Sequence, residues 1–293
     1  KAIDDSGIKI EEIDAVASTA GPGLIVCLSV GLSFGKAFAS ALDKPFIAVN
    51  HLEGHALSPK LNSKLNYPYL LLLISGGHSQ YLNVQGLGKY KRLGTTIDDA
   101  LGEAFDKTAK LLGVEFPGGP QIEILAEKGD PNKYDLPKPI FNKGGCNLSF
   151  SGLKTALLRT RDKLVSNQGG LYEEDRADFC ASFQEAVCDV LVEKSRRALA
   201  KYLELRPNTP VFCVAGGVAA NQYLKNILCN LDTPYPNQVY FPSMKLCTDN
   251  GAMIAYSGLL RFEKKIFSKL NIKPRPRWPL DDKAIFAKGK GLR

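Results

Sequence analysis

The residues best suited to chemistry are the two histidines of His51-Leu52-Glu53-Gly54-His55, which follow directly on the apolar run Pro45-Phe46-Ile47-Ala48-Val49. On a helix capped by Asn50, imidazoles four residues apart project from one face and can close on a single metal ion. Such a pair needs a third ligand. The chain has only three histidines, and the last, His78, stands beside a glycine turn where a local hydrogen-bonding role is expected. The third donor is therefore expected to be a carboxylate. Asp249, in Cys247-Thr248-Asp249-Asn250-Gly251, is the best placed, between the end of a strand and the start of a helix; its competing role is a plain helix N-cap. The helical zinc-peptidase signature puts its Glu immediately after the first His. Glu53 comes two places on, so it is expected to form a capping box with Asn50 and not to act as a general base.

Two glycine turns could hold a ligand. Ser75-Gly76-Gly77 joins two strands, and its bare backbone amides can approach a phosphate with Ser75 as an added donor; an ordinary hairpin is the alternative. Gly216-Gly217, between a strand and a helix, leaves room for a flat base or a ribose, and Asn221 offers amide donors and an acceptor; close strand-to-helix packing is the alternative.

These residues need a frame. Ile13 to Ala20 reads as a strand, Gly21-Pro22-Gly23 as a turn, Leu24 to Leu42 as a helix and Pro45 to Val49 as a second strand, which together make a βαβ unit with the histidines beyond the carboxyl end of a strand. Tyr69 to Ile74, His78 to Val84 and Tyr90 to Thr95 read as a meander that opens a second lobe. Helices are expected over Ile97 to Leu112, after the turn Phe116 to Pro120, over Phe150 to Lys163, over Glu173 to Leu203, from Ala219 and over Asp249 to Phe262, with strands at Val211 to Ala215 and Val239 to Pro242. The expected division is a first lobe over 1–66, a second over 67–272 and a basic, Pro-containing tail over 273–293.

At 293 residues the chain is long enough for two lobes, and its longest apolar run, Tyr69 to Ile74, is too short to span a bilayer. Seven cysteines with no CxxC pair suit a reducing compartment. A formal charge of +8 suits a polyanionic partner such as nucleic acid.

Taken together in order, these motifs resemble the TsaD-type tRNA threonylcarbamoyladenosine transferases, formerly described as O-sialoglycoprotein endopeptidases. The resemblance also rests on Ser18 to Leu24, Leu73 to His78, Asp98-Asp99-Ala100, Gly102 to Lys107, Pro117 to Pro120, Ser149 to Thr155 and Cys247 to Met253. It implies an α/β, two-lobed actin/Hsp70/sugar-kinase (ASKHA) fold with ligand and metal in the cleft between lobes. It implies that His51, His55 and Asp249 hold iron or zinc. Leu73, Ile74, Ser75, Gly76, Gly77, Asp106, Gly119, Glu123 and Asn221 would bind the adenylate of threonylcarbamoyl-AMP or ATP. The group would pass to the exocyclic amine of the adenosine after the anticodon. The implied partners are tRNA, a threonylcarbamoyl-AMP synthase and a second copy of the chain, and the resemblance, closest to the mitochondrial branch, implies a mitochondrial setting, with a bacterial cytoplasm as the alternative. No general base is identified. Family members begin with a strand bearing Glu-Thr-Ser-Cys-Asp, which this sequence lacks, so a missing N-terminal segment, with any targeting peptide, is expected. The competing classes are a metallopeptidase, a small-molecule kinase of the same fold and a non-catalytic tRNA-binding subunit.

Overall fold

The structure is a computed structural model that describes residues 1–208, 210–232 and 238–284. A short helix α1 (Ala2–Ser6) leads to strand β1 (Val16–Gly21), helix α2 (Ile25–Ala41) and strand β2 (Phe46–Asn50). The two strands are parallel, in register from Val16 with Phe46 to Thr19 with Val49, as the βαβ reading requires. Small residues in β1 let α2 pack close: Ser18 donates from its hydroxyl to the Gly31 carbonyl at 3.0 Å. Helix α3 (His51–Leu57) follows β2 without a loop, capped by the Asn50 side chain, which accepts from the Leu52 amide.

The second sheet holds β3 (Tyr69–Ile74), β4 (Ser79–Gly86), β5 (Lys89–Thr95), β6 (Val211–Ala215) and β7 (Gln238–Tyr240) in the order β5-β4-β3-β6-β7. The meander β3-β4-β5 is antiparallel, and β6 and β7 are added parallel to β3. Tyr69-Leu70-Leu71-Leu72-Leu73-Ile74 is apolar throughout because both faces of β3 are covered. One face packs on α4 (Leu101–Leu112), α5 (Gly118–Ala126), α6 (Ser151–Gln168), the 31-residue α7 (Glu173–Leu203) and α8 (Gln222–Cys229). Leu52 and Ala56 of α3 cover the other face, so α3 lies between the two sheets. A last pair of helices, α9 (Met244–Cys247) and α10 (Gly251–Glu263), brings the chain back: Gly258 of α10 sits so close to Ala17 of β1 that a Cβ there would lie 2.5 Å from the Ala17 Cβ.

Three expectations are corrected. The second lobe does not run to 272. The chain recrosses to the first sheet between Cys247 and Gly251, because α10 buries its apolar face on β1, β2 and α3. The stretch from Lys273 is no free tail as far as Asp281: Ile272 and Trp278 pack on the apolar cluster of the first sheet, and the Arg275 amide donates to the Ala20 carbonyl at 2.7 Å. The rest of the expected tail, 285–293, lies outside the described residues. Finally, α4 begins at Leu101 and not at Ile97, because the Asp98 carboxylate is drawn away to accept from the Ser149 and Ser151 hydroxyls and the Phe150 amide at the start of α6.

Candidate metal centre and ligand turns

Helix α3 directs both imidazoles at one carboxylate oxygen. Nε2 of His55 lies 3.0 Å and Nε2 of His51 lies 3.4 Å from Oδ1 of Asp249, and the two rings meet edge to face with centroids 4.8 Å apart. Exposure is graded across the set: the side chain of His55 is sealed, His51 is 24 % exposed and Asp249 76 %. Hydrogen bonds from His51, then His55, hold the Asp249 carboxyl well below the usual carboxylate range, so it is an anion at any working pH. Asp249 is no helix cap. Asn250 caps α10 by accepting from the Met253 amide, which leaves Asp249 free to face α3.

Two nitrogens and one carboxylate oxygen that all lie within 4.8 Å of one another suit one divalent ion. The donor set is that of catalytic zinc and of non-haem iron, both of which leave coordination positions open for substrate. Ser18, Thr19, Pro22 and Gly23 of β1 and its turn line the same open cleft as His51 and Asp249.

Glu53 is not half of a capping box, which corrects that expectation. Its buried carboxylate turns inward: Oε1 accepts from Nε of Arg261 at 2.7 Å and faces Nη2 at 2.6 Å, and Oε2 accepts from the Tyr90 hydroxyl at 2.9 Å. Burial first, then Glu53 itself, pushes the Tyr90 phenol well above its ordinary range and keeps it a donor. This network ties α3, which carries both histidines, to α10, whose start carries Asp249. Sequence reasoning missed it because Arg261 is 208 residues away and Tyr90 is 37. The available signal was an acidic residue among Leu52, Gly54, Ala56 and Leu57, where burial calls for a partner.

The glycine turns lie side by side. Strands β3 and β6 are parallel neighbours, so Ser75-Gly76-Gly77 and Gly216-Gly217 leave the sheet at the same end. Gly216, at φ 101°, is required there, since a Cβ would stand 2.3 Å from the Ile74 carbonyl oxygen. Gly76 and Gly77 differ. Both are exposed, neither has a positive φ, and a Cβ on either would meet no protein atom within 4 Å.

The remaining expected ligand residues divide. Leu73 and Ile74 are fully buried in β3, with side chains in opposite apolar clusters, and Ser75 is buried too, so of Leu73 to Gly77 only Gly76 and Gly77 are exposed. Ser75 closes the turn, its amide donating to the His78 carbonyl and its hydroxyl accepting from the His78 amide. Asp106 accepts from the Gly118 amide at 3.0 Å and sets the start of α5, on which Gly119 is open. Glu123 accepts from the Gln222 and Tyr223 amides at the start of α8. Asn221 caps α8 by accepting from Leu224 and donates to Oε1 of Gln184 at 2.9 Å, so its side chain is largely occupied by the protein. Gln184, unremarked in the sequence, joins Glu123, Gln222, Tyr223 and Asn226 around a pocket between α5, α7 and α8.

The profile of the family described as "TsaD: tRNA N6-adenosine threonylcarbamoyltransferase" matches residues 1–256. The chain belongs to the TsaD family. A tRNA N6-adenosine threonylcarbamoyltransferase of Pelagibacter ubique is 63 % identical over 294 residues, covering all of this chain and 81 % of that protein. Proteins of the same name from Brucella suis and Ruegeria sp. are 52 % and 50 % identical, over 100 % and 99 % of this chain and 81 % and 80 % of theirs. Among solved structures, HypF from T. kodakarensis matches 88 % of the chain at TM-score 0.61 and 15 % identity, this chain spanning 41 % of it. Full-length HypF in a phosphate- and nucleotide-bound form gives 0.56 and 16 %, with coverage of 88 % and 40 %. The fold is the two-lobed ASKHA type expected of a TsaD-family chain.

Proposed function

We propose that this TsaD-family chain transfers the threonylcarbamoyl group of threonylcarbamoyl-AMP to the exocyclic amine of the adenosine after the anticodon of tRNAs that read codons beginning with adenine. The observation that carries this reading is the convergence of His51, His55 and Asp249 on one point beside a cleft, in a chain identical at 63 % to a transferase of that name. When bound there, iron or zinc supplies a Lewis acid for charge that develops on the donor's carbonyl or departing phosphate. The chain's own groups do the positioning. The bare amides of Gly76 and Gly77 donate to the adenylate phosphate, Asp106 and Gly119 shape its cleft, and binding of the AMP part fixes the reactive carbon against a weakly nucleophilic amine.

Glu53 bears on the peptidase alternative, because its carboxylate is committed to Arg261 and Tyr90 and has no freedom to activate water. The reading includes a separate synthase that supplies the adenylate. It also includes a homodimer, supported by the exposed Leu24, Val26, Val30 and Phe34 on and beside α2, and a reducing setting, mitochondrial or bacterial, which suits seven unpaired cysteines. The test is mass spectrometry of nucleosides from tRNA incubated with threonylcarbamoyl-AMP and the protein, its His55→Ala variant or no protein. Threonylcarbamoyladenosine should form with the first alone; equal yields in all three reject the proposal.

A further inference from the structure

Between Lys264 and Arg277 the chain carries Lys264, Lys265, Lys269, Lys273, Arg275 and Arg277 and no acidic residue, a local charge of +6 against +8 for the whole sequence. All six side chains are exposed, and none makes an ion pair among the described residues. The backbone beneath them is fixed. The Ser268 amide donates to the Phe46 carbonyl at 2.8 Å, Lys36 donates to the Ile272 carbonyl, and the Pro276 carbonyl accepts from the Gly23 amide at 3.2 Å. Ile272 and Trp278 turn inward onto the first sheet, and the Arg275 guanidinium is stacked 4.4 Å over the Trp278 ring. Exposed Ile266, Phe267 and Leu270 are interleaved with the lysines.

The strap also ends at the metal centre. The Trp278 carbonyl accepts from the Asn50 amide at 2.9 Å, and Asn50 caps the helix whose first residue is His51. Gly23, bonded to Pro276, lines the cleft with His51 and Asp249. A row of unpaired cations on a fixed backbone, with aromatic and aliphatic side chains between them, is chemistry for a phosphodiester chain and its bases.

We infer that the strap 264–278 is the RNA-docking surface, holding backbone phosphates of the substrate so that one adenosine reaches the cleft beside His51 and Asp249. This placement rests on the transferase reading, and it selects a surface that the reading leaves open. The phosphate contacts position the RNA and carry no sequence information.

The experiment compares wild type, Arg275→Glu/Arg277→Glu, Lys264→Glu/Lys265→Glu, and Lys128→Glu/Lys133→Glu on an exposed face of the second lobe, by fluorescence anisotropy with a full-length tRNA from low to high salt. Glutamine versions of the strap variants stand in should a charge reversal fail to fold. Each strap variant should bind tRNA at least about tenfold more weakly, with a log-affinity against log-salt slope flatter by about 0.7–0.9 for each phosphate no longer neutralised. Metal content and adenylate binding should match wild type, and in the modification assay KM for tRNA should rise while kcat is retained. The control pair should bind as wild type does. Strap variants with wild-type affinity and slope, or an equal loss in the control pair, overturn the placement with the transferase intact. Absence of tRNA binding by wild type overturns the transferase reading together with it. Vesicles of phosphatidylserine bound by wild type and lost in the strap variants, with tRNA binding unchanged, assign the strap to a membrane surface instead.

Discussion

The metal face of α3 and the turn Ser75-Gly76-Gly77 are built on opposite plans. At the proposed metal face, side chains would make the site and a buried charged network holds them: His55 is sealed, and the carboxylate two residues before it is bound by Arg261 and Tyr90. At the turn the proposed site would be made by leaving side chains out, since nothing in the protein requires Gly76 or Gly77 to be bare. The difference teaches where tolerance lies. A change under the metal face should disturb folding and function together, whereas a change at the turn should strike the ligand and spare the fold.

The largest expected break is Glu53→Ala. It leaves Arg261 without its buried partner and should cost about 3–5 kcal/mol in denaturant unfolding, the range for breaking a buried ion pair, with loss of metal in the same protein. Stability within about 0.5 kcal/mol of wild type would mean that the network is not what holds α3 to α10. His55→Ala should separate ligation from folding: metal affinity by equilibrium dialysis falls at least about 100-fold, more than removal of a supporting hydrogen bond costs, in a protein that still unfolds cooperatively. An unchanged affinity would remove His55 from the ligand set. Gly76→Val tests the other plan. Its side chain has open space, so the melting temperature should hold while adenylate affinity in calorimetry falls about tenfold or more through blocked backbone approach. Retained affinity would make the turn an ordinary hairpin. The smallest effect should come from Tyr90→Phe, which removes one donor from the buried Glu53 and should cost about 1–3 kcal/mol while metal binding persists. A metal content as low as that of His55→Ala would show that Tyr90 orients the ligands and does more than satisfy a carboxylate.

The two plans were also unequally legible in the sequence. The histidine pair follows from helical spacing after a strand, and Asp249 from its place between a strand and a helix, because both signals are local. The glycine turns were legible for the same reason. What holds α3 to α10 was not, since Glu53 finds its partners through tertiary packing alone and helix-start chemistry gave a nearer explanation for it. Asn221 and Glu123 carry ligand-reading groups, yet both serve the start of α8, a demand set by the unpaired amides of that helix. The strap looked like a tail because Pro, Lys and Arg compose a solvated tail and an edge-bound strap alike; only the inward Ile272 and Trp278 distinguish them.

That strap orders the events of folding in time. The second sheet draws its strands and most of its covering helices from residues 69–240. The first sheet must wait for the end of the chain, since Ala48 meets Ser268 at a separation of 220 residues and Asn50 meets Trp278 at 228. At ribosomal rates of roughly 5–20 residues per second, that is about 10–50 s during which β2 lacks its contacts with the strap. A nascent chain halted after α10 should therefore be cut by protease across Val16–Asn50 while Tyr69–Ala215 resists, and equal resistance in both stretches would show that the first sheet closes without its strap.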